Sequence, residues 1–139
     1  MRRLFSTGIN PSAISTGLLL LRVVAGAFML THGLPKLTNM LAGTSKLGDP
    51  IGLGNDLSIG LTVFAEFVCS ILLMLGLATR LALLPLIILM SVAGFMVHAN
   101  DPFKIKELAF LYLLIYITLF ITGPGKYSLD NALGGKRNR

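Results

Sequence analysis

A chain of 139 residues has room for one domain, and with 54% hydrophobic and only 13% charged residues it cannot cover a core with a polar surface. Its surface must instead face lipid. The net charge of +6 is not a nucleic-acid signature, because the basic residues lie between and outside the apolar runs and not on a stripe interleaved with aromatics.

Residues 1–14 read as a cytoplasmic tail. Arg2 and Arg3 open it, and Asn10-Pro11-Ser12 marks a break before the first helix. Arg2, Arg3 and the small-residue run Ala25-Gly26-Ala27 together look like a signal peptide. Arg22 would then fall inside the hydrophobic region of the signal, and the helical pattern continues to Leu34, so a retained first span is expected. That span is expected over residues 15–34, with Pro35 ending it.

Residues 35–56 read as a polar, Gly-rich outer loop. Gly48-Asp49-Pro50 and Gly52-Leu53-Gly54-Asn55-Asp56 are turn formers, and a connection this long is expected to fold over the bundle end. The second and third spans are expected over 57–77 and 81–99. Ala78-Thr79-Arg80 alone separates them, so they should form a tight antiparallel hairpin. Cys69, the single cysteine, lies in the second span; one thiol cannot form an intramolecular disulfide or run dithiol exchange, and it reads as a small packing residue. The fourth span is expected over 105–123. Its apolar core is short, and Lys104, Lys106 and Lys126 can snorkel from its ends. Gly123-Pro124-Gly125 stops it, a short cap follows, and residues 134–139 form a basic tail with Lys136, Arg137 and Arg139.

The expected fold is therefore all-α: an antiparallel four-helix transmembrane bundle. Seven Lys and Arg residues fall on the side that carries both ends (Arg2, Arg3, Arg80, Lys126, Lys136, Arg137, Arg139), and four on the other (Lys36, Lys46, Lys104, Lys106). The positive-inside bias then puts both termini in the cytoplasm.

Two ionisable residues stand inside apolar spans, and a charge persists there only with a partner or a function. By helical rise, Arg22 lies ~10 Å inside the first span from its cytoplasmic end and Glu66 ~14 Å inside the second from the opposite end. An Arg22–Glu66 interhelical pair is expected, either as a structural tie that fixes helix order or as a proton or redox relay. At 100° per residue, Arg22, Met29, His32 and Lys36 fall within an arc of ~80°, so the ionisable residues of the first span share a face. Ser91, Gly94 and His98 form a similar stripe on the third.

His32, Lys36, His98, Asp101, Lys106 and Glu107 all belong to the outer end, from three helices. As a cluster at the bundle mouth they suit an anion, a quinone headgroup or a partner; singly they suit interfacial residues wetted by headgroups. His32 and His98 could clamp a haem only if they faced each other, and no c-type attachment motif is present. No metal-ligand spacing occurs within a helix. Tyr112, Tyr116 and Phe120 repeat every four residues and read as packing or a lipid-facing stripe. Asp130 could pair with Arg80 at the cytoplasmic end.

These residues together resemble the DoxX family of small four-span bacterial membrane proteins. The match is carried by Leu20-Leu21-Arg22, by Phe28 with Thr31-His32-Gly33-Leu34-Pro35-Lys36-Leu37, and by Glu66. It continues through Gly76-Leu77-Ala78-Thr79-Arg80-Leu81-Ala82, His98, Glu107 and Gly123-Pro124-Gly125-Lys126-Tyr127-Ser128-Leu129-Asp130. It covers roughly residues 15–133. The resemblance implies a multi-pass protein of the bacterial plasma (inner) membrane, linked to quinone-dependent oxidation of reduced sulfur, and it carries over Arg22, His32, Lys36, Glu66, Arg80, His98 and Glu107 as its site positions. No nicotinamide or flavin fingerprint is present, so the chain is not expected to be a complete redox enzyme by itself but an accessory subunit, either handling quinone, the one cofactor the resemblance suggests, or anchoring a soluble or membrane oxidoreductase partner. The rival expectation is a small carrier or a structural, stress-related membrane module. The lipid bilayer is the one certain partner; the sequence leaves the oligomeric state open.

Overall fold

The computed structural model describes residues 8–46 and 48–134, and every regular element among them is helical. The basic ends (Arg2, Arg3, Lys136, Arg137 and Arg139) lie outside the described residues. Four helices are long and apolar enough to cross a membrane: α1 (Pro11–Leu41), α2 (Asn55–Leu75), α3 (Thr79–Val97) and α4 (Phe103–Thr122). A short α5 (Leu129–Gly134) follows. In lipid a backbone must satisfy its own N–H and C=O groups, and a helix does so within one segment.

The start of α1 follows from its local sequence. The Asn10 side chain accepts from the N–H groups of Ser12 and Ala13 at 3.1 and 3.2 Å, and Pro11 occupies the first helical position, where no N–H is needed. The far end corrects an expectation: Pro35 does not end the helix, which continues to Leu41. Proline there removes one intrahelical hydrogen bond. Nearby hydroxyls bond into the same turns, Thr31 to the Phe28 carbonyl at 2.6 Å and Thr38 to the Pro35 carbonyl at 2.9 Å. The outer loop accordingly shrinks to residues 42–54, and Lys36 becomes a helical residue.

The helices pack as an antiparallel ring in the order α1, α2, α3, α4, with α4 closing on α1. Contacts fix the register. A Cβ on Gly33 would lie 2.8 Å from the Glu66 backbone, and one on Gly26 would lie 2.9 Å from the Ser70 carbonyl, so α1 and α2 meet backbone to backbone. Gly94 of α3 faces Phe110 of α4, and Gly125 lies against Leu18 and Ser15 near the start of α1, which brings both ends of the described chain to one side.

The core along the axis holds Met29, Ala65, Cys69, Leu73, Leu83, Leu86, Tyr112, Tyr116 and Leu119. The Tyr112 and Tyr116 rings stack at 5.7 Å inside that core, so they serve packing and do not face lipid. Large apolar side chains such as Leu20, Phe28, Ile88 and Leu114 are some 60% exposed, as a lipid-facing surface requires.

Candidate functional site

α2 and α3 each contain a widened π-helical turn, at Phe64–Cys69 and Ala93–Val97. Such turns cost regular hydrogen bonding and often accompany function. Here both border the same cavity of about 670 Å³ between α2 and α3, within the range of small-molecule sites. Leu61 and Phe64 from α2, and Pro85, Ile88 and Leu89 from α3, make its walls apolar. Pro85 to Val97 spans roughly 18 Å along α3 by helical rise, so the cavity is an elongated groove. Its polar groups run inward from the outer mouth: Asp49, Ser58 and His98 belong to the mouth, Thr62 lies one turn below Ser58, and the Lys36–Glu66 pair lies roughly 12 Å deeper than Ser58 along α2.

Glu66 is 4% exposed and sits in the π turn of α2. Its Oε1 meets the Lys36 Nζ at 2.5 Å, while its Oε2 is buried without a partner. Lys36 keeps about a third of its side chain exposed. The contact exists because α1 runs on through Pro35 and delivers Lys36 one turn above Gly33, which packs directly on Glu66.

The expected Arg22–Glu66 pair does not form. Glu66 lies level with Gly33, eleven residues and ~16 Å along α1 from Arg22. Arg22, 1% exposed, lies instead beside Gly76 at the other end of the bundle and donates from Nη2 to the Tyr127 carbonyl; Nε and Nη1 are buried without partners. Asp130 lies within electrostatic range of the Arg22 charge. The depth argument failed because α1 begins four residues earlier and extends seven residues later than the apolar run suggests, so the two charges belong to opposite ends.

Asp130 is likewise not paired with Arg80. Its carboxylate accepts from the Ala78 and Thr79 N–H groups at 2.7 and 2.9 Å and caps α3, and its own N–H donates to the Gly76 carbonyl at 2.8 Å. Partial burial pushes this carboxyl up, but the bonds from Thr79 and Ala78 and the Arg22 charge outweigh it and hold it below the usual carboxylate range. Arg80 is exposed beside Gly123.

The outer cluster divides. Lys36 and His98 line the cavity, and the His98 Nδ1 meets the Asp101 Oδ2 at 2.6 Å. His32 does not line it; exposed, it sets its ring edge-on to Tyr112 at 6.5 Å, on the α1–α4 side. It lies at the edge of the ~80° arc, far enough round α1 to leave the inward stripe. Glu107 is exposed on α4, and Lys106 donates to the Ala99 carbonyl at 3.1 Å.

Sequence reasoning missed Asp49. Its carboxylate accepts from the Leu53 and Gly54 N–H groups at 2.9 and 2.7 Å and from the Ser58 hydroxyl at 2.8 Å, which ties the loop to the start of α2 and sets Gly48–Ile51 over the cavity. These bonds, the Gly54 N–H first and the Ser58 hydroxyl next, hold the carboxyl below its usual range. The signal was available: an Asp ahead of a Gly-rich run that ends at a helix start.

Four apolar helices, a lipid-facing exterior and a charged pair lining an internal groove define a four-span integral membrane protein. The chain belongs to the DoxX family, whose model matches residues 17–99. It is 35% identical over 122 residues to an uncharacterized protein of Haemophilus influenzae, covering 80% of this chain and 86% of that protein. It is 28% identical over 124 residues to the inner membrane protein YqjF of Escherichia coli, covering 86% of this chain and 94% of that one. No solved structure matches it.

Proposed function

We propose that this protein is an accessory subunit of a quinone-linked oxidoreductase system in the bacterial inner membrane. In this reading it holds a quinone head beside the Lys36–Glu66 pair in the α2–α3 groove. The supporting observation is the chemistry of that groove, whose α3 wall from Pro85 to Val97 is apolar over roughly 18 Å while Ser58, Thr62 and the Lys36–Glu66 pair supply polar groups, which suits a ligand with a compact polar head and a hydrocarbon tail. YqjF supports the inner-membrane location, and the Lys and Arg bias supports cytoplasmic termini with the mouth of the groove, at Asp49, Ser58 and His98, toward the outer face.

Bound quinone would supply two-electron redox chemistry. The chain supplies the rest: Lys36 donates to a head oxygen, Glu66 holds Lys36 in place and offers a second polar contact, and the apolar walls keep water from the ring. In this reading the electrons come from an oxidoreductase partner.

Native mass spectrometry of the protein, purified gently from its own membranes, tests the proposal. A co-purifying quinone or a second polypeptide is expected. Bare protein, free of both, would contradict the redox-subunit reading and favour a carrier or a structural module.

A further inference from the structure

The polar atoms at the head of the groove are unequal in number by type. The Ser58 hydroxyl donates to Asp49, and the Thr62 hydroxyl donates to the Ser58 carbonyl at 2.8 Å, so both hydroxyl donors are committed. Both Asp49 oxygens are already bonded by Leu53, Gly54 and Ser58. What remains is mostly accepting. Glu66 Oε2 is buried without a partner. His98 lines the same cavity, and its Nδ1 faces an Asp101 carboxylate oxygen. A carboxylate only accepts, so in the neutral imidazole Nδ1 carries the hydrogen and Nε2 presents a lone pair. Lys36 is the remaining donor, and it already serves Glu66 Oε1.

We propose that the groove selects the reduced, dihydroxy form of a quinone over the oxidised dione, with Glu66 and His98 as the two acceptors and Asp101 as the residue that sets the imidazole tautomer. This rests on the quinone reading above. A dione offers only acceptor oxygens, and Lys36 alone can meet them. A hydroquinone donates two O–H groups and can still accept from Lys36, so it satisfies the buried Glu66 Oε2 and the half-buried His98 ring, which the dione cannot. His98 is thus a specificity-determining residue and Asp101 a positioning residue.

Equilibrium dialysis of the micellar protein against decylubiquinone and its chemically reduced form tests this. The reduced form is expected to bind about tenfold more tightly, the equivalent of one additional net hydrogen bond. The ratio should fall toward one in His98→Phe, fall part-way in Asp101→Leu, and recover in His98→Gln, whose amide oxygen can accept. Asp101→Leu leaves the ring in place, so it also covers a His98→Phe variant that fails to fold. Equal affinities in the unmodified protein, or a ratio that none of the variants moves, would overturn the selection while leaving the quinone site standing. Failure of both forms to bind would overturn the quinone site itself, and the selection with it.

Discussion

Lys36 and Glu66 show how a buried carboxylate is kept in an apolar bundle. Glu66 is nearly sealed from solvent, whereas Lys36 retains outside access, so the two do not contribute symmetrically. Removing the lysine strands a buried negative charge; removing the carboxylate leaves an ammonium that water can still reach. Lys36→Met should therefore cost more than Glu66→Gln, about 3 kcal/mol against about 1 kcal/mol. The double variant should recover much of the loss. Thermal unfolding of the four proteins in micelles reads this order, and equal losses would contradict the asymmetry. Gly76 carries a second residue-scale expectation. It has φ +66°, and a Cβ there would run into the Arg22 guanidinium and come within 2.7 Å of Ser128. Gly76→Ala should destabilise by more than the ~1–2 kcal/mol of left-handed strain alone, because Arg22 must also move; Gly43→Ala, with φ +67° and open space around it, isolates the strain term in the same assay.

At the scale of elements, much of the architecture was legible. The hydropathy pattern located four spans, and the tight Ala78-Thr79-Arg80 link implied the hairpin. The partners of the charges were not legible, and one residue explains most of that. Pro35 reads as a helix end, which puts Lys36 on the inward face of the first span but just past its expected end, and so leaves Arg22 as the cation nearest Glu66 by depth. Once α1 is allowed to continue, Gly33 and Lys36 fall beside Glu66. The π turns carry no clear sequence signal, since they record how α2 and α3 accommodate each other. The Asp49 knot gives an element-scale prediction. Its carboxyl is held below the usual range, so the knot is fully present above the unfolded-state value of ~3.9 and is lost as pH falls through the lower folded-state value. Hydrogen exchange at Leu53 and Gly54, corrected for intrinsic rates, should stay slow until the pH is well below the ordinary carboxylate range. Asp49→Ala should expose both amides at neutral pH.

At the scale of the whole molecule, the two ends of the bundle are built for different tasks. The end that carries both ends of the described chain is locked by Arg22 on the Tyr127 carbonyl and by Asp130 on the first amides of α3. The other end opens into the groove. Asp130→Ala should therefore loosen α5 and lower stability by about 1–2 kcal/mol while leaving ligand affinity unchanged. A comparable loss of affinity would mean that the ends are coupled. Side-chain type and order in the sequence pointed to polar groups at both ends, but only the packed bundle shows that one end closes on itself and the other surrounds space.

The most direct test of a lipid-soluble head bound between α2 and α3 is photolabelling in membranes with an azido-substituted quinone, followed by peptide mapping. Label is expected to be confined to the peptides around Ser58–Glu66 and Pro85–His98, and to be competed away by unlabelled quinone. Label spread evenly over the lipid-facing residues of α1 and α4, or unaffected by competition, would contradict it.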